Sequence, residues 1–195
     1  MLVVVTRRDR LRDFVEGAIR QLYRERYEAY LSSFAATIVA ELGPSGDIEC
    51  AAGIRFGNEA FFSECYLDRP IEYLLEDYMV NNVHRDRIVE VCHLAAVTPG
   101  RSLSFVQKLI ELLRGMDAEW AVFTATKPLR NLLQRSRLTM IELGAAERSR
   151  VPYPESWGRY FEHDPRIMAV GRQAFAPRHF GALPSAPLTA NARIF

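Results

Sequence analysis

Apolar residues recur at helical spacing from about Asp9 to Ser32, through Phe14, Val15, Ala18, Ile19, Leu22, Tyr23, Tyr27, Tyr30 and Leu31. That period predicts one amphipathic helix, or two parted at the polar Arg24-Glu25-Arg26. Before it, Leu2–Val5 is a short apolar run that reads as a strand. After it come three β-like segments, Thr37–Leu42, Ile48–Phe56 and Ala60–Leu67, punctuated by Gly43-Pro44-Ser45-Gly46 and Gly57-Asn58. Both are turn signals, so an antiparallel meander is expected. Asp68 is placed to cap a helix with Pro70 in its first turn, running to about Tyr78.

The rhythm then changes. Ile88–Val97 reads as a central strand, apolar on both faces, and Thr98–Ser102 as a loop opening onto a helix over Leu103–Arg114. A strand (Trp120–Thr124), a helix (Lys127–Arg135) and a strand (Thr139–Leu143) follow. Such alternation predicts right-handed crossovers with locally parallel pairing. Tyr153–Tyr160 and Pro165–Val170 read as a capping segment, and Pro177, Pro184 and Pro187 among alanines as an extended tail. The expected fold class is α/β: one domain over residues 1–171, its mixed sheet antiparallel in the first half and βαβαβ in the second, then a tail over 172–195.

Composition narrows the function classes. The chain of 195 residues is 49% hydrophobic and 25% charged, as in globular domains. Its 25 Lys+Arg against 24 Asp+Glu leave a net charge of +1. No basic field announces nucleic acid. The clusters Arg7, Arg8, Arg10, Arg12 and Arg20, Arg24, Arg26 read as solvated helix faces. Leu2–Val5 is too short for an export signal, and no run approaches a membrane span. Cys50, Cys65 and Cys92 are odd in number and set in apolar runs, which suits reduced thiols in a cytoplasm and no zinc or haem pattern.

Two carboxylates interrupt segments that otherwise call for burial. Alternation puts Glu64 on the face of Phe62 and Tyr66, and Glu90 on the face of Cys92 and Leu94. Desolvation would raise their pKa values, as a general base for an amine requires, unless an arginine such as Arg55 pairs with them. Cys92-His93 is no Cys–His dyad, because neighbours on a strand face opposite ways. In the Thr98–Ser102 loop, Gly100, Arg101 and Ser102 offer backbone and side-chain donors to a phosphate at a helix start. Lys127, Arg130 and Asn131 follow the carboxyl end of a strand that carries Thr124, where α/β sheets bind ligands. The aromatic run Tyr153–Phe161, with Trp157 at its centre, reads as an acyl pocket or as core.

The order of elements fits the GNAT-type acyltransferase architecture. The chain also resembles the thermostable hemolysin family from about Arg20 to Val170. The matching stretches are Ala51-Ala52-Gly53-Ile54-Arg55, Glu64-Cys65-Tyr66-Leu67-Asp68-Arg69-Pro70-Ile71-Glu72 and Val89-Glu90-Val91-Cys92-His93-Leu94-Ala95, then Phe123-Thr124-Ala125-Thr126, Leu129-Arg130, Trp157-Gly158-Arg159-Tyr160 and Asp164-Pro165. Two positions depart from it. Cys92-His93 stands where the family usually has Gly-Asn, and Arg137 where it usually has Gly.

That family is similar in layout to acyl-homoserine-lactone synthases, so the resemblance implies transfer of an acyl group from acyl carrier protein or coenzyme A to an amino-acid-like amine. Glu90 and Glu64 are then the catalytic candidates. Ala95, Val97, Gly100, Arg101, Ser102, Arg130 and Asn131 are expected at the donor, and Arg55, Tyr66, His93, Thr124 and Trp157 at the substrate. Backbone N–H groups near Ala95–Val97 are expected to hold the oxyanion. The other readings are a non-catalytic binder of acyl chains or carrier protein and, third, a membrane-active lysin. The sheet edges would permit a homo-oligomer.

Overall fold

The structure, a computed structural model, describes residues 1–79 and 82–172, so the tail expected beyond them lies outside the described residues. Among the described residues, seven strands form one mixed sheet in the order β1-β2-β3-β4-β5-β7-β6. They are β1 (Leu2–Val5), β2 (Thr37–Leu42), β3 (Ile48–Phe56), β4 (Ile88–Ala96), β5 (Trp120–Ala125), β6 (Ile141–Ala145) and β7 (Arg166–Gly171). β1 to β4 form the expected antiparallel meander. The helix α3 (Ser102–Gly115) then crosses over, and β5 pairs parallel to β4.

Beyond β5 the pairing departs from expectation. β5 and β6 are not neighbours, because β7 lies between them, antiparallel to both. Of the segment read as a cap, Pro165–Val170 thus falls on an interior strand, while Tyr153–Tyr160 holds 3-10 turns. Ile167, Met168, Ala169 and Val170 are all buried, which is what a strand covered on both faces demands.

Ala60–Leu67 is not a strand either. Residues Phe62–Tyr66 form a 3-10 turn. The N–H groups of Phe62 and Ser63 donate to the Glu90 carboxylate at 2.8 and 2.7 Å, so they are unavailable to a ladder. Asp68 does not cap α2 (Ile71–Glu76); it pairs with Arg150 at 2.7 Å. Glu64 takes over that task, accepting from the Ile71 N–H at 3.1 Å.

Helices cover both faces. α3 and α4 (Lys127–Arg135) pack through Phe105, Leu109, Leu113 and Leu133 against Val39, Ala52, Ile54 and Val89. On the opposite face, α1 (Arg12–Tyr27) packs through Val15, Ile19 and Tyr23 against Ile38, Ala51 and Ala95. Beside it α2 covers Ile88 and Val122 with Ile71 and Leu75. α1 ends earlier than its pattern, at a left-handed Glu28 (φ 57°). Arg12 is not solvated as expected: its guanidinium is buried, donating to the carbonyls of Ala35 and Ala36.

A bulge in β4 shapes the centre of the molecule. The register steps from Gly53↔Cys92 to Ala51↔Ala95, so Ala52 alone opposes both His93 and Leu94. His93 takes φ 52°. The extra residue reverses the alternation. Leu94 joins Val91 in the core under α3, away from Glu90, contrary to the simple strand reading. Gly53 makes room for the bulge, since a Cβ there would lie 2.8 Å from the Cys92 Sγ. Both departures from the family pattern now have a physical setting: His93 and Arg137 (φ 61°) occupy the left-handed region, where Asn and Gly cost least.

Candidate active site

The parallel pairing of β4 with β5 ends at Val91↔Phe123, although the strands run on to Ala96 and Ala125. Among the described residues, the edge of β4 beyond Val91 that faces β5 therefore has no strand partner. An apolar cavity of about 730 Å³, mouth included, occupies this parting. Val91, Leu94 and Phe123 wall it from the strands, Val106, Leu109, Ile110 and Leu113 from α3, and Leu129 and Leu133 from α4. Leu138 and Val170 contribute too, and Tyr23, Tyr27 and Tyr160 line it from the α1 side.

A second chamber, of about 410 Å³, adjoins the first on the α1 side of the sheet. Phe62, Tyr66, Trp157 and Tyr160 give it aromatic walls, and Glu90, Cys92 and His93 border it from β4. The two spaces share Tyr23, Val91, His93, Thr124 and Tyr160. Burial is the leading reason that the phenols of Tyr23, Tyr66 and Tyr160 are pushed well above their ordinary pKa, so they are neutral.

The aromatic wall is held by the Trp157-Gly158-Arg159 backbone. The Arg159 N–H donates to the Tyr27 carbonyl at 2.7 Å, and Tyr30 donates to Ser156 at 2.6 Å. These bonds lash the segment to the end of α1 and set Trp157 over Phe62, with ring centroids 5.7 Å apart.

Glu90 is 2% exposed and fully used as an acceptor. Its Oε1 receives the Ser63 N–H (2.7 Å) and Ser63 hydroxyl (2.6 Å); Oε2 receives the Phe62 N–H (2.8 Å) and Arg55 (3.0 Å). Arg55 is one of these four donors and makes its contact an ion pair, so both oxygens are occupied and the arginine pairing left open in the sequence is the arrangement found. Arg55 reaches the chamber only through this pair and its stack on Phe62, 5.7 Å from the ring centroid.

His93 borders both spaces. Its Nδ1 is buried without a hydrogen-bond partner among the described residues, and its ring packs on Tyr23 and Phe34 at 6.2 and 5.1 Å. Burial, reinforced by the positive charge of Arg55, lowers its pKa to about 3. The bulge brings Cys92 and His93 to the same chamber, so alternation is not what excludes a nucleophilic dyad. The Cys92 thiol is pushed up to about 12, chiefly by burial, which is the wrong direction for a thiolate.

The other expected positions do not converge here. Glu64 is held by both Arg85 guanidinium nitrogens at 2.6 and 2.8 Å and borders neither space. Arg85 keeps its carboxyl below the usual range, the reverse of the shift expected for a base. Glu72 also binds Arg85, at 2.8 Å, so the Glu64-to-Glu72 motif builds the start of α2. Ala95 is buried against α1, and the Val97 N–H donates to the Glu49 carbonyl at 2.9 Å, so it is not available to an oxyanion as expected. Arg130 is a strut, binding the Ala125 carbonyl at 2.9 Å and the Asp164 carboxylate at 2.6 Å. Asn131 is exposed on α4. Gly100 (φ 81°) and Ser102 start α3, and Arg101 pairs with Glu49 at 2.9 Å.

Glu90, Tyr66, His93, Thr124 and Trp157 are therefore brought together, with Arg55 behind them. Tyr160, within the aromatic run expected as an acyl pocket or core, lines both spaces, whereas Tyr23, Tyr27 and Phe62 were not expected there. The spacing of Tyr23 and Tyr27 on one helix face was the available signal; their convergence with Tyr160 depends on long-range packing.

No curated protein matches the chain in sequence. Several solved structures share the fold at low identity. BjaI, a CoA-dependent acyl-homoserine lactone synthase solved with SAM and isopentyl-CoA, aligns with a TM-score of 0.59 at 12% identity over 90% of this chain and 85% of its own. FeeM, an N-acyl amino acid synthase from uncultured soil microbes, aligns at 0.58 and 13% over 89% and 97%. LasI, an AHL synthase, aligns at 0.57 and 12% over 96% and 99%. The sheet has the GNAT-like layout that the element order implied. Residues 5–175 match the family model described as thermostable hemolysin, and the chain belongs to that family.

Proposed function

We propose that the protein is an N-acyltransferase that moves an acyl group from a thioester of acyl carrier protein or coenzyme A to an amine. The observation that carries this reading is the meeting of two spaces of different chemistry where β4 and β5 part. The apolar cavity suits an acyl chain, and the aromatic chamber suits the acceptor. Their shared wall at Val91, His93 and Thr124 is where thioester and amine would meet. The first-turn N–H groups of α3, with Gly100 and Ser102, suit the donor's phosphate. The likeness in fold to acyl-homoserine lactone and N-acyl amino acid synthases supports the same class.

Glu90 is assigned to holding the chamber: it fixes Arg55 and the Phe62–Ser63 backbone, and its lone pairs are already occupied. Glu64 is assigned to the start of α2. The amine attacks the thioester carbonyl directly, with no covalent enzyme intermediate.

The test incubates purified protein with acyl carrier protein or coenzyme A thioesters of graded chain length and a panel of amino acids and simple amines. Thiol release and product mass are read together. An amide that requires both substrates establishes the reaction; saturable thioester binding without product from any pairing would make the protein a binding module instead. Leakage of liposomes caused by lipid-free protein would favour a membrane lysin. Among the described residues no helix is long and apolar enough to cross a membrane.

A further inference from the structure

A tetrahedral intermediate needs a donor aimed at its oxygen, and the donor anticipated near Val97 is already bound to Glu49. The side chains at the junction of the two spaces supply another. His93 stands on the β4 bulge at φ 52°, a conformation that turns its ring to the α1 side, where it borders both cavities. Its Nδ1 is buried with no hydrogen-bond partner among the described residues, while the ring as a whole is half-buried and borders both cavities. A buried lone pair without a donor is better tolerated than a buried N–H without an acceptor, which puts the proton on Nε2.

We infer that the Nε2–H of His93 is the oxyanion donor of this site, acting as a neutral imidazole that polarises the thioester carbonyl. This rests on the acyl-transfer reading. The amine nitrogen forms a bond to the carbonyl carbon, and the C=O electron pair moves onto oxygen, where the Nε2–H holds it. The pair returns, the C–S bond breaks, and the amine proton ends on the departing thiolate, giving a neutral amide and a free thiol. His93 neither gains nor loses a proton. The depression of its pKa to about 3 fits this role, since the ring stays neutral when the amine is unprotonated and reactive. A base of that strength would take no proton from an amine, which separates the donor role from general-base catalysis.

The test compares wild type with His93→Asn, His93→Ala and His93→Leu, using coenzyme A and carrier-protein thioesters from butanoyl to hexadecanoyl with the amine panel. Asn keeps an N–H donor and tolerates the left-handed backbone; Leu keeps bulk without a donor. His93→Ala and His93→Leu should lose about 10²–10³-fold in kcat with KM little changed. His93→Asn should recover at least tenfold of that loss. Circular dichroism and urea midpoints verify that each variant is folded. Unchanged kcat in folded His93→Leu, or equal losses in Asn and Leu variants, would overturn the inference while leaving acyl transfer standing. Wild-type protein that makes no amide from any pairing overturns both.

Discussion

Gly158 lies so close over the end of α1 that a Cβ on it would sit 2.2 Å from the Tyr27 carbonyl oxygen. Its φ of 51° with ψ −122° adds a second reason for glycine. The crossing sets both Trp157 and Tyr160 in the chamber wall. Gly158→Ala should therefore lower stability by roughly 2–4 kcal/mol through strain and overpacking. Urea unfolding followed by tryptophan fluorescence measures it; an unchanged midpoint would mean the segment is not docked on α1.

The Arg55–Glu90 pair carries a different kind of dependence. Glu90 is almost wholly buried, so removing Arg55 alone leaves a charge with only neutral donors. Arg55→Leu should cost about 3–5 kcal/mol. Arg55→Leu with Glu90→Leu should cost less than the sum of the single changes, as expected for residues in contact. Additive losses in a double-mutant cycle would show that the two do not act together.

How much was legible in advance follows from range. β2, β3, β4, β5, α3 and α4 announce themselves by local period, and the sequence bounds fall within a few residues of the structure. β7 does not, because six residues over Arg166–Gly171 show no alternation, and insertion between β5 and β6 is a long-range event. Phe61–Leu67 alternates well enough to resemble a strand, yet Glu90 captures two of its backbone donors. The pairing of Glu90 with Arg55 was foreseeable as an alternative. The β4 bulge was not, and with it went the facing of His93 and Leu94.

Arg137 holds φ 61° on the exposed surface after α4, with its N–H bound to the Gln134 carbonyl at 2.9 Å. A non-glycine residue in that region costs about 1–2 kcal/mol. Part of the relief from glycine is offset by its freer unfolded chain. Arg137→Gly should raise stability by roughly 0.5–1 kcal/mol, visible as a higher urea midpoint with the same slope; a lower midpoint would show that the Arg side chain contributes more than its backbone costs.

His93 gives the fold a weakness to acid. Unfolded, its imidazole takes a proton near pH ~6.5; folded, only near about 3. Above both values the ring is neutral in either state and contributes no pH dependence. Between them the unfolded chain binds one proton more, so stability falls as pH falls, by up to about 1.4 kcal/mol per pH unit. The unfolding free energy of wild type minus that of His93→Asn should therefore hold level above about pH 6.5 and drop from there to pH ~4. The subtraction removes the carboxylates common to both proteins. A flat difference would mean that the folded ring protonates as freely as the unfolded one.

The acyl cavity makes a claim about length. Ala121 is 5% exposed and lies on its wall in β5, where β4 and β7 flank it at Val89 and Val170. Ala121→Leu adds three carbons in space the cavity can supply, so the stability loss should fall at or below the lower end of the usual ~1–3 kcal/mol for overpacking. The same carbons shorten or narrow the path of a bound chain. Preference among graded thioesters, read as kcat/KM, should move toward shorter acyl groups in Ala121→Leu. Leu109→Ala, on the facing helix, should move it toward longer or bulkier ones, at a stability cost of about 2–5 kcal/mol for a buried leucine. Opposite shifts from the two substitutions would locate the chain between β5 and α3, whereas an unchanged preference in both would mean that the acyl group lies elsewhere.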